Sequence, residues 1–323
     1  MQNERRRIRT ITESPRAPFG WRMWQEARTL LGTGYPVSVI LAKTRGFRRS
    51  CGRLESIEIC RHGVRKTSRP RGRFAAHAQA LATQFCIAPG VYERTPFSAR
   101  HALNPPDEIF LAELFLILFG VRFFFDHHDL NPELNEAKFE RGGLGYKLAC
   151  WAERLTFWTA GVSIATNESY REVALARGKM RRERSFVLRS CPDIMRIQKR
   201  SARLGPRKGQ RFLVVCLGAM GPQHGFDLLL ESVHPVVHRS NRRDMLLFLI
   251  GAETEVPRQK PLAFRKDLAP LAGFPGRLPY EEVGAYSSTA DLGVAPNPTM
   301  PMNAEPTMNK ILECITLGFR AVL

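Results

Sequence analysis

The chain has 323 residues, 44% of them hydrophobic and 24% charged, and a formal net charge of +19. Length and apolar content supply a core for each of two α/β domains and exclude a disordered chain. The positive excess, most of it within residues 1–73, favours anionic partners such as phosphates, acidic lipid headgroups or nucleic acid.

The basic run Arg5 to Arg9 is followed by no apolar signal-peptide core, so export is not expected. Residues 24–31 read as a helix, and 34–41 as the glycine turn and β-branched strand after it, the repeating unit of a parallel sheet. Residues 45–73 are Arg/Gly/Ser-rich, with one strand at 54–59 and surface loops around it. The Leu/Phe-rich stretch 109–125 holds Glu113, Gly120 and Arg122; it divides into a helix over 108–119 and a strand over 121–125, the buried core of an α/β unit rather than a membrane span. An amphipathic helix with Trp151 and Trp158 is predicted over 145–159, then a strand over 160–165 and a helix to 178 capped by Thr166 or Asn167.

Residues 196–210 are polar and basic without apolar periodicity, which marks a linker between a first domain, 1–195, and a second, 211–323. The second series predicts a strand over 212–217, a glycine turn, a helix over 226–238 and a strand over 245–250. A short strand before Gly276, a helix over 280–288, a strand over 291–296 and a helix over 308–316 follow. Two such series imply an α/β protein with two doubly wound, Rossmann-like domains facing a cleft. The seven cysteines are odd in number and form no C-x-x-C pair, as suits reduced thiols in the cytosol. Peripheral contact with an anionic membrane stays open, because a basic face beside apolar surface binds bilayers without spanning them.

Glu305 and Glu313 lie eight residues apart, the first in a loop and the second in the final helix. That spacing lets one carboxylate face sugar hydroxyls and the other a ribose diol, although two solvated surface glutamates produce the same pattern. Asn309 and Lys310 open the helix, where backbone N–H groups and a lysine favour phosphate. His127, His128 and Asp129 follow the apolar strand 121–125, at the end where a parallel sheet presents ligand-binding residues. A histidine pair with an aspartate also suggests a metal, but adjacent imidazoles point apart, so no metal is expected. His234 and His238 share a helical face with no third ligand in view and read as solvated surface.

The chain resembles glycosyltransferase family 4, the group 1 glycosyltransferases, and within it enzymes of bacterial surface and exported polysaccharide synthesis. Seven motifs in order carry the resemblance: PFGWRMWQEAR from Pro18, HALNPPD from His101, FDHHDLNPEL from Phe125, ATNESY from Ala165, GAMGPQHG from Gly218, GRLP from Gly276 and TMNKILE from Thr307. The resemblance implies a GT-B fold and retaining transfer of a sugar, of hexose type, from a nucleoside diphosphate to a glycan acceptor, on a lipid carrier at the cytoplasmic face of the membrane. It implies no cofactor and no essential metal, and the sequence has no D-x-D pair to hold one.

The leaving diphosphate must then be stabilised by cations and backbone N–H groups. Lys310, Arg189 and the turn Gly218 to Gly221 are the candidates, with Asn309 beside them; Arg189 equally suits a plain surface position. Where relatives carry an arginine and a lysine in this turn, Met220, Pro222 and Gln223 stand here. By resemblance, Glu305 holds the sugar, Glu313 the ribose, and His128, or second His127, approaches the transferred sugar. Asp129 is expected to orient one of these rings, and His101 to shape the cleft floor. Gly20 and Trp21 replace the usual Asp-Arg of the acceptor loop. Residues 321–323 fall inside an expected strand, so the second domain is expected to be truncated, and a degenerate binding module without catalysis is the rival reading. Specific nucleic-acid binding is not expected, since only charge favours it.

Overall fold

A computed structural model of the chain describes residues 8–11, 21–42, 51–62, 96–105, 107–138, 143–194, 197–198, 209–218, 225–251, 263, 267–276, 278–296 and 309–322. The chain divides into two compact units, Met1–Arg189 and Ser190–Leu323. Ile197, within the stretch whose composition reads as linker, is buried in the core of the second unit. Residues 199–208 lie outside the described residues.

The first unit is built on an eight-stranded sheet, ordered β3-β4-β2-β1-β5-β6-β7-β8. Its strands are β1 (Ile8–Ile11), β2 (Val37–Ala42), β3 (Cys51–Leu54), β4 (Ile57–His62), β5 (Ala99–Leu103), β6 (Arg122–His127), β7 (Val162–Ala165) and β8 (Ser185–Val187). All neighbours pair in parallel except β3 and β4. Those two form an antiparallel hairpin where the sequence suggests one strand. Glu55 and Ser56 turn it with positive φ, and Cys51 faces Cys60 with Sγ atoms 3.4 Å apart.

Helix α1 (Trp21–Gly32) begins three residues before its apolar pattern does. Met23, Trp24 and Ala27 recur at helical spacing and pack with Val37, Val39, Leu41 and Leu103 on one face of the sheet. Gly34, at φ +88°, ends it by donating to the Leu31 carbonyl. On the opposite face Phe123 and Phe125 pack with Phe157 of α4 (Leu144–Thr159), in which the pleat of β6 is legible. Helix α3 (Asn131–Lys138) lies against α4, and Asn167 caps α5 (Glu168–Ala176) by accepting from the Tyr170 N–H at 2.9 Å.

The stretch 109–125 is buried in its strand and along one side of its helix, at Ile109, Phe110, Ala112 and Leu116. Its strand half is buried at Val121, Phe123 and Phe125. Helix α2 (Phe110–Ile117) also turns Glu113 inward, onto Arg100 of β5, with Nε–Oε1 2.6 Å and both side chains about 1% exposed. Leu111, Leu114 and Ile117 point to solvent. The buried pair sits among the apolar residues of the inner side, Phe110, Ala112 and Leu116, because neither charge can be left inside without the other. Burial pushes the Glu113 carboxyl up to about 7, against the pull of Arg100.

The second unit holds a parallel five-stranded sheet, ordered β11-β10-β9-β12-β13. Its strands are β9 (Phe212–Leu217), β10 (Met245–Ile250), β11 (Ala272–Gly276), β12 (Leu292–Val294) and β13 (Arg320–Val322). Helix α6 (Phe226–His238) covers Val214 and Cys216 on one face; α7 (Tyr280–Ser287) and α8 (Asn309–Thr316) cover Leu213, Val215 and Leu217 on the other. Both sheets reverse their strand order beside the first parallel strand, between β1 and β5 and between β9 and β12. Crevices outside the carboxyl ends of such strands are where doubly wound folds bind ligands. Among the described residues no helix is long and apolar enough to cross a membrane.

Candidate active-site clusters

In the first unit the reversal is lined by charge. His101 comes from β5, Asp126 from the end of β6, His128 from the residue after it, and Arg22 and Glu26 from the first turns of α1. Asp126 is the hub. The Arg22 guanidinium places Nη2 3.0 Å from Oδ1 and Nε 3.2 Å from Oδ2. His128 Nε2 lies 3.1 Å and His101 Nε2 3.3 Å from Oδ2. Glu26 joins through Arg22, Nε–Oε1 3.0 Å, and lies 3.7 Å from His101.

The electrostatics follow from burial. Desolvation opposes charge on Asp126, yet His128, His101 and their hydrogen bonds hold its carboxyl well below the usual range. Burial draws the His101 imidazolium down, and Asp126 with Glu26 more than offsets it, so His101 titrates above its ordinary value. Glu26, buried beside the Asp126 charge and without an aligned hydrogen-bond donor, is pushed up to about 7. Its carboxyl is the weak acid of the cluster.

Asn104 sets the backbone beside this group. Its Oδ1 accepts from the N–H of His128 at 2.6 Å and of Asp129 at 3.1 Å. Its Nδ2 donates to Asp107 Oδ1 at 2.8 Å and to the Asp129 carbonyl at 2.7 Å. His128 is thus fixed at both its main chain and its ring. At 23% exposed it is the most open of the four side chains around Asp126, and an imidazole held by a buried carboxylate can donate to, or exchange a proton with, a ligand.

The two neighbouring histidines part company. His127, on the opposite pleat, is fully buried, with Nε2 3.0 Å from Glu153 Oε1. Glu153 is held in turn by Arg177, which also grips Glu133 with Nη1–Oε1 2.6 Å. Burial works against the Glu153 charge, but His127 and Arg177 keep its carboxyl below the ordinary range. This network ties α3, α4 and α5 to the sheet; His127 is part of the core. The ring-orienting carboxylate expected at Asp129 is Asp126. Strand parity carries that signal, because residues two apart share a face, which sets Asp126 with His128 and His127 against them.

Glu26, His101 and Asp126 bring three potential ligand atoms within 4.8 Å of one another. The Arg22 guanidinium already supplies the positive partner to both carboxylates, and a cation placed there would meet it at close range. Arg22 and Glu26, four apart on one helix, escape sequence reading because such pairs are common on solvated helices.

In the second unit the described residues bring Lys310 to the reversal. Strand β9 is followed directly by Gly218, whose φ of +122° is a glycine conformation. Lys310 of α8 lies across it, so close that a Cβ at position 218 would stand 2.8 Å from the lysine Cε. The stem passes the end of the strand and brings Nζ to 5.9 Å from the ring of Phe226, the first residue of α6. Burial lowers the Lys310 pKa, with Cys216 and Glu313 pulling the other way. An ammonium beside a helix N-terminus and a glycine strand end is a arrangement suited to phosphate oxygens. Glu313 sits one turn further along α8, partly buried. Gly221 and Glu305 lie outside the described residues, as does the side chain of Asn309. Arg189 is exposed at the end of the first unit.

No protein-family model and no curated protein matches the sequence. Solved structures do. A sucrose-phosphate synthase from Thermosynechococcus elongatus superposes with a TM-score of 0.77 at 14% identity, over 98% of this chain and 80% of that one. The fold is GT-B. Anabaena HepE, solved in complex with UDP and glucose, gives 0.66 at 15% identity over 98% and 80%. The catalytic domain of starch synthase IV from Arabidopsis thaliana, bound to ADP and acarbose, gives 0.68 at 11% identity over 98% and 82%.

Proposed function

We propose that this chain is a metal-independent, retaining glycosyltransferase of family 4. It moves a hexose-type sugar from a nucleoside diphosphate to a glycan acceptor on a lipid carrier, at the inner face of the membrane, in surface or exported polysaccharide synthesis. The observation that carries the reading is Lys310 laid over Gly218 at the strand-order reversal of the second unit, beside the start of α6. HepE and starch synthase IV, which share the fold, were solved with UDP and with ADP. In this reading Lys310 and the amides after Gly218 take the diphosphate, Glu313 the ribose and Glu305 the sugar hydroxyls. His128, held by Asp126, meets the reacting sugar.

Titration calorimetry of the purified chain with UDP, GDP and ADP tests the donor site. One of the three is expected to bind, and Lys310→Ala to weaken it by roughly tenfold to a hundredfold, the worth of one charge-assisted hydrogen bond. No heat with any of the three overturns the reading. Binding without hydrolysis or transfer from the matching nucleotide sugar reduces the chain to a binding module.

A further inference from the structure

Helix α2 buries Phe110, Ala112 and Leu116 and still carries a second apolar strip on its outer side. Its one charged residue, Glu113, is buried on Arg100, while Leu111 and Leu114 face solvent and Leu118, just past its end, is 83% exposed. Helix α4 repeats the pattern. Its one acid, Glu153, is fully buried, whereas Leu148, Trp151 and Trp158 stand outside, Trp158 at 76% exposed. The two helices pack together, with Phe110 and Trp151 meeting edge to face at 6.5 Å, so the outward side chains form one face. An ordinary surface helix points its apolar stripe inward, and a contiguous apolar patch of this kind marks an interaction surface.

We propose that this face docks the first unit on an anionic lipid bilayer. The proposal gives the membrane-side acceptor of the proposed function a physical route, and rests on that reading for its purpose. Charge decides among occupants. The exposed charges of the face are cationic, Lys147 and Arg154, and the acids of both helices are turned inside. A second copy related by twofold symmetry would bring these like charges together at the edge of an apolar contact. A leaflet of acidic headgroups complements them. Lys147, Trp151, Arg154 and Trp158 follow one another along α4 at steps of four, three and four, which alternates cation and indole down one stripe. Indoles settle at headgroup depth and cations meet lipid phosphate, while the leucines between them enter the acyl boundary. The chain's net charge of +19 adds long-range attraction.

The test is sedimentation with vesicles of phosphatidylcholine alone, or with about a third phosphatidylglycerol. The wild type is expected to partition to the anionic vesicles, with tryptophan emission moving to shorter wavelength. Leu118→Glu with Trp158→Glu, both at exposed positions, is expected to lower partitioning by roughly tenfold to a hundredfold with an unchanged circular dichroism spectrum. Lys147→Glu with Arg154→Glu is expected to weaken it less, and to flatten its salt dependence. Equal partitioning of Leu118→Glu/Trp158→Glu and wild type overturns the proposal, since attraction then comes from diffuse charge. A lipid-free dimer that this variant converts to monomer also overturns it, and gives the face to a second copy. Nucleotide binding is read without lipid, so either proposal can fail while the other stands.

Discussion

The two units repeat the strand-order reversal of a doubly wound sheet and equip it with different side chains. In the first, five ionisable side chains converge at the strand-order reversal, and Asp126 is held at once by Arg22, His101 and His128. In the second, among the described residues, the Lys310 side chain crosses a glycine at the equivalent place. The comparison teaches that a doubly wound sheet supplies the position of a site and leaves its chemistry to a few side chains. A pre-paired cluster presents an oriented hydrogen-bonding ring with its own counter-charges. A lysine laid over a glycine strand end, beside a helix N-terminus, presents a cation and backbone amides of the kind that phosphate oxygens accept from.

The sharpest way to break the comparison is at Asp126. Asp126→Ala leaves two imidazoles and a guanidinium clustered around the lost charge, and is expected to cost about 3–5 kcal/mol in urea unfolding. Trp21, Trp24, Trp151 and Trp158 all belong to the first unit, so tryptophan fluorescence reports that unit alone. A loss below about 1 kcal/mol would mean that the cluster is solvated, and its contrast with the second unit illusory.

The pH dependence of the two units is expected to differ next. Glu26, Asp107 and Glu113 are each raised to about 7, so the folded state holds protons that the unfolded state has released. Their stabilisation is complete below the ordinary carboxylate pKa and lost as pH rises from about 4.5 through about 7. His101, also raised, adds in the same direction, since its contribution vanishes as pH passes its folded value. Asp126 has the opposite sign and matters only in strong acid, where protonation below the ordinary range removes its contribution. Tryptophan-detected stability is therefore expected to fall between pH 5 and pH 8, by roughly 2–3 kcal/mol for each of the three carboxyls. In the second unit Cys216 and Cys314 are pushed up to about 12 by burial, and Lys310 is lowered, which places their effects on the alkaline side. Calorimetry of the whole chain that shows both units shifting in parallel over this range would remove the distinction.

The mildest test lies at Gly218. Gly218→Ala strains a backbone at φ +122° and pushes against the Lys310 stem, with an expected cost of about 1–2 kcal/mol. The lysine tail is flexible and can move aside, so the larger consequence is for nucleotide affinity, expected to drop about tenfold. Unchanged affinity in calorimetric titration would separate Lys310 from the donor site.

Apolar periodicity and punctuation made the second unit readable to the residue for β9, α6 and β10, because buried strands and a helix opened by glycine obey local rules. The same rules place Lys310 on a helix start and His128 past a strand end. They failed where a distant partner reversed the local preference. Nothing within α2 says that Glu113 faces in, since Arg100 lies on another strand, and Asp126 becomes a hub only when α1 brings Arg22 across the sheet.

The sequence by itself therefore determined the two doubly wound series, the glycine strand end and the residues able to carry charge to it, all set by spacing along the chain. Tertiary structure decided which of two adjacent histidines is a partly exposed ring and which a core group. It also decided that the acids of α2 and α4 lie inside while Leu111, Leu114, Leu148, Trp151 and Trp158 lie outside. Those outcomes depend on pairing buried charges between segments far apart in sequence, and such charges have no stable place until both partners arrive.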